Sequence, residues 1–459
     1  MPPRPTSDMA DPHTLGGAVL AHAARRPTAP ALLWRDATVT YAELAEAART
    51  ADLPDGGGDT GGVAVLRAEK SPRTIARILA CLLAGRPALL LSTDLGEVTR
   101  ELLTERVRTA PPPDGTALLL TTSGSTGVPK LVPLGGGAVD RFTEWAVTAF
   151  GIEPGTRVLN YAPLNFDLCL LDIWATLRAG GTAVLVDPDR AVTPRYLLDL
   201  LAATEPEVVQ AVPMFFRLLA EAAPEGTEFE SPRHVLLTGD HAPPRVRAAL
   251  PRLFPKAAYH NVYGCTETND SFLHTADATE VAGREVLPLG RPLPGVRTRI
   301  EDGELLVATP FQTSGYLHED GPGERFADGW FRTGDLVSRG EDGALVLVGR
   351  TDFQVKVRGV RVNVEEVERV LLEHDGVAEA AVVALPDPEA GQRLHAVVHR
   401  HPGRLGGLEL RKHCSERLTR AAVPSAFRIT DEPLPLTSTG KVNRNRIKED
   451  LRNPRKGNE

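Results

Sequence analysis

The stretch LLLTTSGSTGVPK, residues 118 to 130, begins as an apolar strand and turns abruptly into hydroxyls, glycines and one lysine. A glycine-rich turn leaving a strand bares backbone N–H groups, and short hydroxyl side chains add donors without bulk. Thr121, Thr122, Ser123, Gly124, Ser125, Thr126, Gly127 and Lys130 together therefore make a concavity suited to phosphate oxygens. The spacing is not that of a Walker A loop, because Pro129 stands where that pattern has a glycine before its lysine. A plain serine- and glycine-rich linker is the alternative reading.

Outward from this loop, the chain divides by texture. Before it, helical patterns (TYAELAEAART, RTIARILACLLAG) alternate with short apolar runs (GGVAVL, PALLLS), which predicts βαβ units around a largely parallel sheet. A proline-rich connector, TAPPPDGT, leads into the strand ALLLTT. Further strands are expected at RVLNY, GGTAVLVD, EVVQAVP, HVLLTGD and AYHNVYG, with a helix at TPRYLLDLLAAT. From about residue 286, alternating strands with Gly/Asp turns predict a β-rich subdomain. Beyond GRTDFQVKVRG the pattern shifts again, and NVEEVERVLLEHDG sets Val364, Val367 and Leu371 on one helical face. The expected architecture is a large α/β amino-terminal domain, 1–351, with parallel-rich sheets plus the β-rich subdomain. A small α+β domain, 352–459, follows it through a hinge.

Bulk properties narrow the function. A chain of 459 residues exceeds one hydrophobic core, and 42% apolar content fits a globular protein. A net charge of −8 argues against nucleic acid as the main partner. The four cysteines, Cys81, Cys169, Cys265 and Cys414, stand too far apart for a zinc site or disulfide framework. No segment has the length of a membrane span and no signal pattern opens the chain, so no membrane partner is expected and the expected compartment is the cytoplasm.

Four further motifs follow the loop in order. NVYGCTETND supplies Tyr263, a ring that could stack on a base, Thr266, a hydroxyl for phosphate, and Glu267, a carboxylate that could hold Mg²⁺ beside ATP. WFRTGDLV supplies Asp335, an acceptor for ribose hydroxyls. GRTDF supplies Arg350 and Asp352, and LTSTGKVNR supplies Lys441. Singly, each has a dull counterpart as a turn aspartate, surface arginine or solvated lysine. Together, and in this order, they resemble the core motifs of the adenylate-forming superfamily, which includes acyl-CoA synthetases, nonribosomal peptide synthetase adenylation domains and luciferase.

That resemblance, from TYAEL at 40 to Lys441, implies a two-step activation of a carboxylic acid. The acid attacks the α-phosphate of ATP, releasing pyrophosphate, and a thiol then displaces AMP. It implies that the hydroxyl loop holds the β- and γ-phosphates and that Lys441 bridges carboxylate and α-phosphate. Thr266 would contact the α-phosphate, and Glu267 would hold Mg²⁺. Asn261, Tyr263 and Gly264 would lie by the adenine with the turn Thr238, Gly239, Asp240. Asp335 would bind the ribose diol with Arg350 close by, and Asp352 would be the hinge between half-reactions, bringing VKVRG to the site for the second.

For the acid itself, YAPLNFDLCLLDIWATLRAGG places Asp167 among apolar neighbours, where an unpaired carboxylate is expensive. An N-cap for the following helix is the plain alternative. The segment is similar to that of amino-acid-activating members, in which aspartate pairs with the substrate ammonium. It looks especially like D-alanine–carrier protein ligases and stand-alone aminoacyl–carrier protein ligases. Matched positions put Asp167, Leu168, Leu171, Gln210, Val262, Asp270 and Ser271 around a small pocket. Asp270 would face a side-chain hydroxyl or amine, or else cap a helix. The implied activity is ATP- and Mg²⁺-dependent activation of a small amino acid, followed by transfer to the phosphopantetheine of a separate carrier protein. A non-amino acyl-CoA synthetase and an amide ligase are the alternatives.

The pattern has departures. Cys265 replaces the usual proline of that motif, and the region between LLLSTD and ALLLTT looks shortened. LGGLEL, 405–410, imitates a phosphopantetheine attachment site but offers no serine, and no carrier domain is expected after Lys441.

Overall fold

A computed structural model of the chain describes residues 11–53, 62–122, 129–317, 325–340, 342–350, 354–387, 391–435 and 442–452. Two compact units result. The larger gathers Met1–Thr93, Arg106–Thr121 and Leu131–Thr351, and the smaller gathers Asp94–Glu105, Thr122–Lys130 and Asp352–Glu459.

The larger unit is built on a nine-stranded sheet. In spatial order its strands are Arg291–Pro292, Asn269–Ala276, Ala258–Cys265, His234–Leu237, Val208–Ala211, Arg157–Asn160, Thr182–Leu185, Pro30–Trp34 and Ala37–Thr40. The central strands run parallel and the outermost pairs antiparallel. Val208–Ala211 and Thr182–Leu185 are buried at every position, as parallel strands covered on both faces must be. A second sheet orders Ala64–Arg67, Ala88–Leu91, Thr116–Thr122 and Lys130–Gly135. A third, antiparallel, is formed by Arg297–Glu301, Glu304–Ala308, Phe326–Ala327, Trp330–Arg339 and Leu345–Arg350. The texture change near 286 thus marks the expected β-rich subdomain.

Local chemistry explains the helices between the strands. Thr40 and Glu43 close a capping box on helix Tyr41–Arg49. Ser71 caps Pro72–Leu83, whose Pro72 occupies a first-turn position lacking a hydrogen-bond partner anyway. That helix buries Ile75, Ile78 and Leu79 at helical spacing, each side chain contributing about 1.5–3 kcal/mol. The shortened region before Thr116 takes the form of one helix, Glu97–Thr109.

In the smaller unit, strands Val377–Asp387, Gly391–Arg400 and Ala426–Thr430 form a sheet, antiparallel in the first pairing and parallel in the second. The hairpin Gln354–Val357/Val360–Asn363 precedes helix Val364–Leu372. Val364, Val367 and Leu371 are buried, as their spacing requires, in a core shared with Leu410 and Cys414. Gly96 comes so close to helix Gly407–Arg417 that an added Cβ would sit 2.3 Å from the Glu416 carbonyl oxygen. The Thr99 hydroxyl donates to the Arg417 carbonyl at 2.8 Å. No helix among the described residues is long and apolar enough to cross a membrane.

Candidate active site

Parallel α/β sheets gather ligands at the carboxyl ends of their strands, and Asp167 and the turn 238–240 follow such ends. Strand Arg157–Asn160 runs into a folded loop, with Phe166 N bonded to the Pro163 carbonyl at 3.1 Å and Cys169 N to the Phe166 carbonyl at 3.2 Å. A π-helix, Leu170–Ala175, follows, a form that recurs where a site forces an extra residue into a helix. Its N-cap is Cys169, with no side-chain capping bond, so Asp167 is not a helix cap. Asp167 is instead partly buried and meets the Thr266 hydroxyl, which favours its charged form. Burial dominates and holds its carboxyl above the usual range, and nearby Glu267 adds to the rise.

The neighbouring strands carry the other residues expected around the acid. Gln210 is buried, and its amide donates to the Leu168 carbonyl at 3.0 Å, so this residue shapes the loop that carries Asp167. Asp270 belongs to strand Asn269–Ala276, which excludes a capping role. Burial pushes its carboxyl up to about 7, with Asp167 contributing the next largest effect. The two carboxyl groups are therefore close enough to feel each other's charge. Val262 is 4% exposed, whereas Leu171 and Ser271 are fully buried. The register slips between Tyr263 and Gly264, and Ser271 turns its hydroxyl to Thr268 and the Asn269 carbonyl. Leu171 belongs to the core beneath the pocket.

Strand Ala258–Cys265 carries Asn261, Tyr263 and Gly264, the residues expected beside the adenine. Gly264 is obligatory, because a Cβ would lie 2.3 Å from the Asn269 carbonyl oxygen. Tyr263 donates to Asp335 Oδ2 at 2.5 Å, and Arg350 pairs with Asp335 Oδ1. Arg350 also donates to the Thr333 carbonyl at 3.0 Å, and Asp335 and Arg350 sit opposite each other in their hairpin. Asn261 spends its amide on the Pro288 carbonyl at 2.7 Å. Strand His234–Leu237 ends at Thr238; Gly239, with φ +79°, makes the turn, and Asp240 accepts from His241 N. Glu267 is 1% exposed and accepts from the Tyr316 hydroxyl at 2.7 Å.

Thr121 and Thr122 end strand Thr116–Thr122 and Lys130 begins the next, so the phosphate-loop motif leaves a strand as expected. The Thr122 hydroxyl is buried without a partner among the described residues. Ser123, Gly124, Ser125, Thr126, Gly127, Asp352 and Lys441 lie outside the described residues. Sequence reasoning missed Tyr316 and Thr333. Neither carries a signal of its own, since a tyrosine in SGY and a threonine in RTGD read as ordinary turn residues until the sheets bring them to Glu267 and Arg350.

Family comparison agrees with this geometry. Residues 95–324 match AMP-binding enzymes, and 366–441 match the carboxyl-terminal domain of such enzymes. The chain belongs to the AMP-binding enzyme family. It is an AMP-forming ligase of the adenylate-forming superfamily. An L-proline–[L-prolyl-carrier protein] ligase of Pseudomonas fluorescens is 33% identical over 344 residues, covering 72% of this chain and 68% of that one. A D-alanine–D-alanyl carrier protein ligase of Bacillus cereus is 29% identical over 496 residues, covering 93% and 97%. Among solved structures, an o-succinylbenzoate CoA synthetase of Bacillus subtilis superposes with a TM-score of 0.80 at 25% identity, covering 94% of this chain and 98% of that one.

These enzymes imply Mg²⁺, and the donor set fits it. One buried carboxylate, Glu267, oriented by the Tyr316 hydroxyl, is what a Mg²⁺ carried in with phosphates uses, since such ions take one or two carboxylates and keep phosphate and water ligands. Among the described residues no group of three or more His, Cys, Asp or Glu forms a dedicated metal cage.

Proposed function

We propose that this AMP-binding enzyme activates a small amino acid with ATP and passes it to the phosphopantetheine thiol of a separate carrier protein. The observation that carries this reading is Asp167, a carboxylate flanked by Phe166 and Leu168. No lysine or arginine among the described residues lies within ion-pair distance of it. A substrate ammonium supplies the missing cation and offsets the cost of desolvating the carboxylate. The proline- and D-alanine–carrier protein ligases among the relatives support the same substrate class.

In this reading the substrate carboxylate attacks the α-phosphorus of ATP. A P–O bond forms, pyrophosphate leaves, and the product is aminoacyl-AMP. Asp167 fixes the ammonium and so aims the carboxylate, converting two mutually repelling anions into an aligned pair. Thr266 contacts the α-phosphate, and Lys441 spans that phosphate and the attacking oxygen as charge develops there. Thr121, Thr122, Ser123, Gly124, Ser125, Thr126, Gly127 and Lys130 hold the two departing phosphates. Asn261, Tyr263, Gly264, Thr238, Gly239 and Asp240 frame the adenine, while Asp335 and Arg350 hold the ribose. Glu267 would hold Mg²⁺, which supplies charge neutralisation on the phosphates. The small domain, 352–459, turns about Asp352, after which the carrier thiol attacks the acyl carbon and AMP leaves. Leu168 narrows the pocket for a small side chain, and Asp270 gives it a second acidic wall.

Amino-acid-dependent exchange of pyrophosphate into ATP tests the first step, and thioester formation on a phosphopantetheinylated carrier tests the second. Transfer to coenzyme A or to an amine alone would refute the carrier assignment.

A further inference from the structure

Beside the Asp167 loop lies a buried polar cluster centred on Lys70. Lys70 follows strand Ala64–Arg67 of the second sheet and is 6% exposed. Its ammonium crosses to the nine-stranded sheet and donates to the carbonyls of Asn160 at 3.3 Å and Tyr161 at 3.0 Å. Those carbonyls sit where strand Arg157–Asn160 gives way to the loop. At the loop's far end, the Cys169 thiol donates to the Pro163 carbonyl at 3.2 Å, and the Asn160 amide reaches the Ala162 carbonyl at 3.2 Å and Cys169 Sγ at 3.5 Å. Asp172, a little further along the chain than Asp167, is fully buried in the π-helix. Asn160 and the thiol polarise its carboxyl, yet neither oxygen completes a hydrogen bond of standard geometry.

The charges facing Lys70 are Asp172, Asp187 and the Cys169 thiol. Asp187 is already held by Arg35 at 2.9 Å, so Asp172 is the acid left to balance Lys70. Burial brings the lysine down to about 8 and the Asp172 carboxyl up to about 8. Removing one buried member of such a set strands the other, so each member's loss is felt by the backbone the set holds. What it holds is the stretch 160–169, at both ends.

We propose that Lys70, supported by Asp172 and Cys169, is a positioning residue that fixes the loop bearing Asp167 and thereby sets the enzyme's selection of the amino group. Lys70 touches no substrate atom; it acts through Asp167, and the proposal rests on the reading of Asp167 as the ammonium-binding residue. Because Lys70 follows a strand of the sheet whose member Thr116–Thr122 leads into the phosphate-loop motif, it ties the acid loop to that sheet.

The test is pyrophosphate exchange with L-proline, D-alanine, glycine and propionate, for native enzyme, Lys70→Met, Lys70→Arg, Asp167→Ala and the Lys70→Met/Asp167→Ala double variant. Lys70→Met should raise the KM of the preferred amino acid about 10-fold or more, through loss of charge-assisted hydrogen bonds, and leave the KM of ATP within about 2-fold. Lys70→Arg, which keeps the donors, should recover part of the loss. The double variant should be no worse than Asp167→Ala alone, since both changes disable one unit. Equal shifts in both KM values, or additive losses in the double variant, would overturn the proposal. Should Lys70→Met fail to accumulate, Asp172→Asn decides the same question: a rise confined to the amino acid's KM supports the cluster's role, and an unchanged KM refutes it. A native enzyme indifferent to the amino group would instead remove the Asp167 reading itself. A native preference that Lys70 changes leave untouched would remove only the positioning role.

Discussion

Tyr263 donates its phenolic hydrogen to Asp335 Oδ2 at 2.5 Å, across 72 positions of sequence. The nine-stranded sheet contributes the ring and the antiparallel subdomain contributes the carboxylate. This bond, with Arg350 on the other oxygen, orients the Asp335 carboxylate that we propose binds the ribose. Removing the acceptor should therefore cost more than removing the phenol. Asp335→Asn should raise the KM of ATP about 10-fold or more, because a hydrogen bond to a charged group contributes about 1.5–3 kcal/mol. Tyr263→Phe should stay within about 3-fold, since Arg350 still orients the carboxylate. Initial rates of pyrophosphate exchange against ATP concentration check both, and the reverse ranking would contradict the ribose assignment.

The pair Asp167 and Asp270 predicts a pH effect with a definite sign. Burial and Asp167 raise the Asp270 carboxyl from 3.8 to about 7, so the folded protein binds a proton there that the unfolded chain has released. Stability from this group is present below pH 4 and is lost as pH rises through about 7. Asp270→Asn should raise the melting temperature at pH 8 by about 2–4 °C per kcal/mol recovered, and by nothing near pH 4. If Asp270 also faces a cationic substrate, kcat/KM for the amino acid rises through about pH 7 in the native enzyme and that step vanishes in Asp270→Asn. Thermal melts and pH-rate profiles read the two effects separately.

Glu267 and Tyr316 should act together on Mg²⁺. Glu267→Gln keeps the shape and removes the charge, so the Mg²⁺ needed for half-maximal exchange should rise about 10-fold or more. Tyr316→Phe removes only the orienting hydrogen bond, and about a 2- to 5-fold rise is expected. Titrating free Mg²⁺ at fixed ATP gives the comparison; an unchanged requirement in Glu267→Gln would exclude it as the ligand.

Lys441→Ala and Asp352→Pro should separate the half-reactions. The first should lower pyrophosphate exchange by about 10²-fold or more while leaving amino acid binding nearly unchanged, as expected for a group acting mainly in the transition state. The second should spare exchange and suppress thioester formation, because proline stiffens the backbone of the proposed hinge. Equal loss of both steps in Asp352→Pro would count against domain rotation.

Much of this was legible in the sequence because periodicity and motif order are local properties. The buried runs of parallel strands, the Val364, Val367 and Leu371 face, and the turn at Thr238, Gly239 and Asp240 could all be read directly, whereas the turn expected before Asp335 is part of strand Trp330–Arg339. Registers and side-chain partners could not. Gln210 fits a pocket-lining position by sequence, yet its amide holds Leu168. Ser271 fits the same pocket, yet the register slip beside Gly264 turns it inward. Whether Asp167 and Asp270 cap helices depends on where the next element starts, and both questions close only when the π-helix and the strand are seen. Lys70 was invisible because its partners are carbonyls ninety residues away.

The most direct test is substrate-dependent pyrophosphate exchange by native enzyme and Asp167→Ala across α-, β- and D-amino acids and their desamino counterparts. The predicted result is strong exchange with a small amino acid, weak exchange with its desamino counterpart, and loss of that preference in Asp167→Ala. Exchange driven as well by desamino acids, and unaltered by Asp167→Ala, would contradict the amino-acid-activating role.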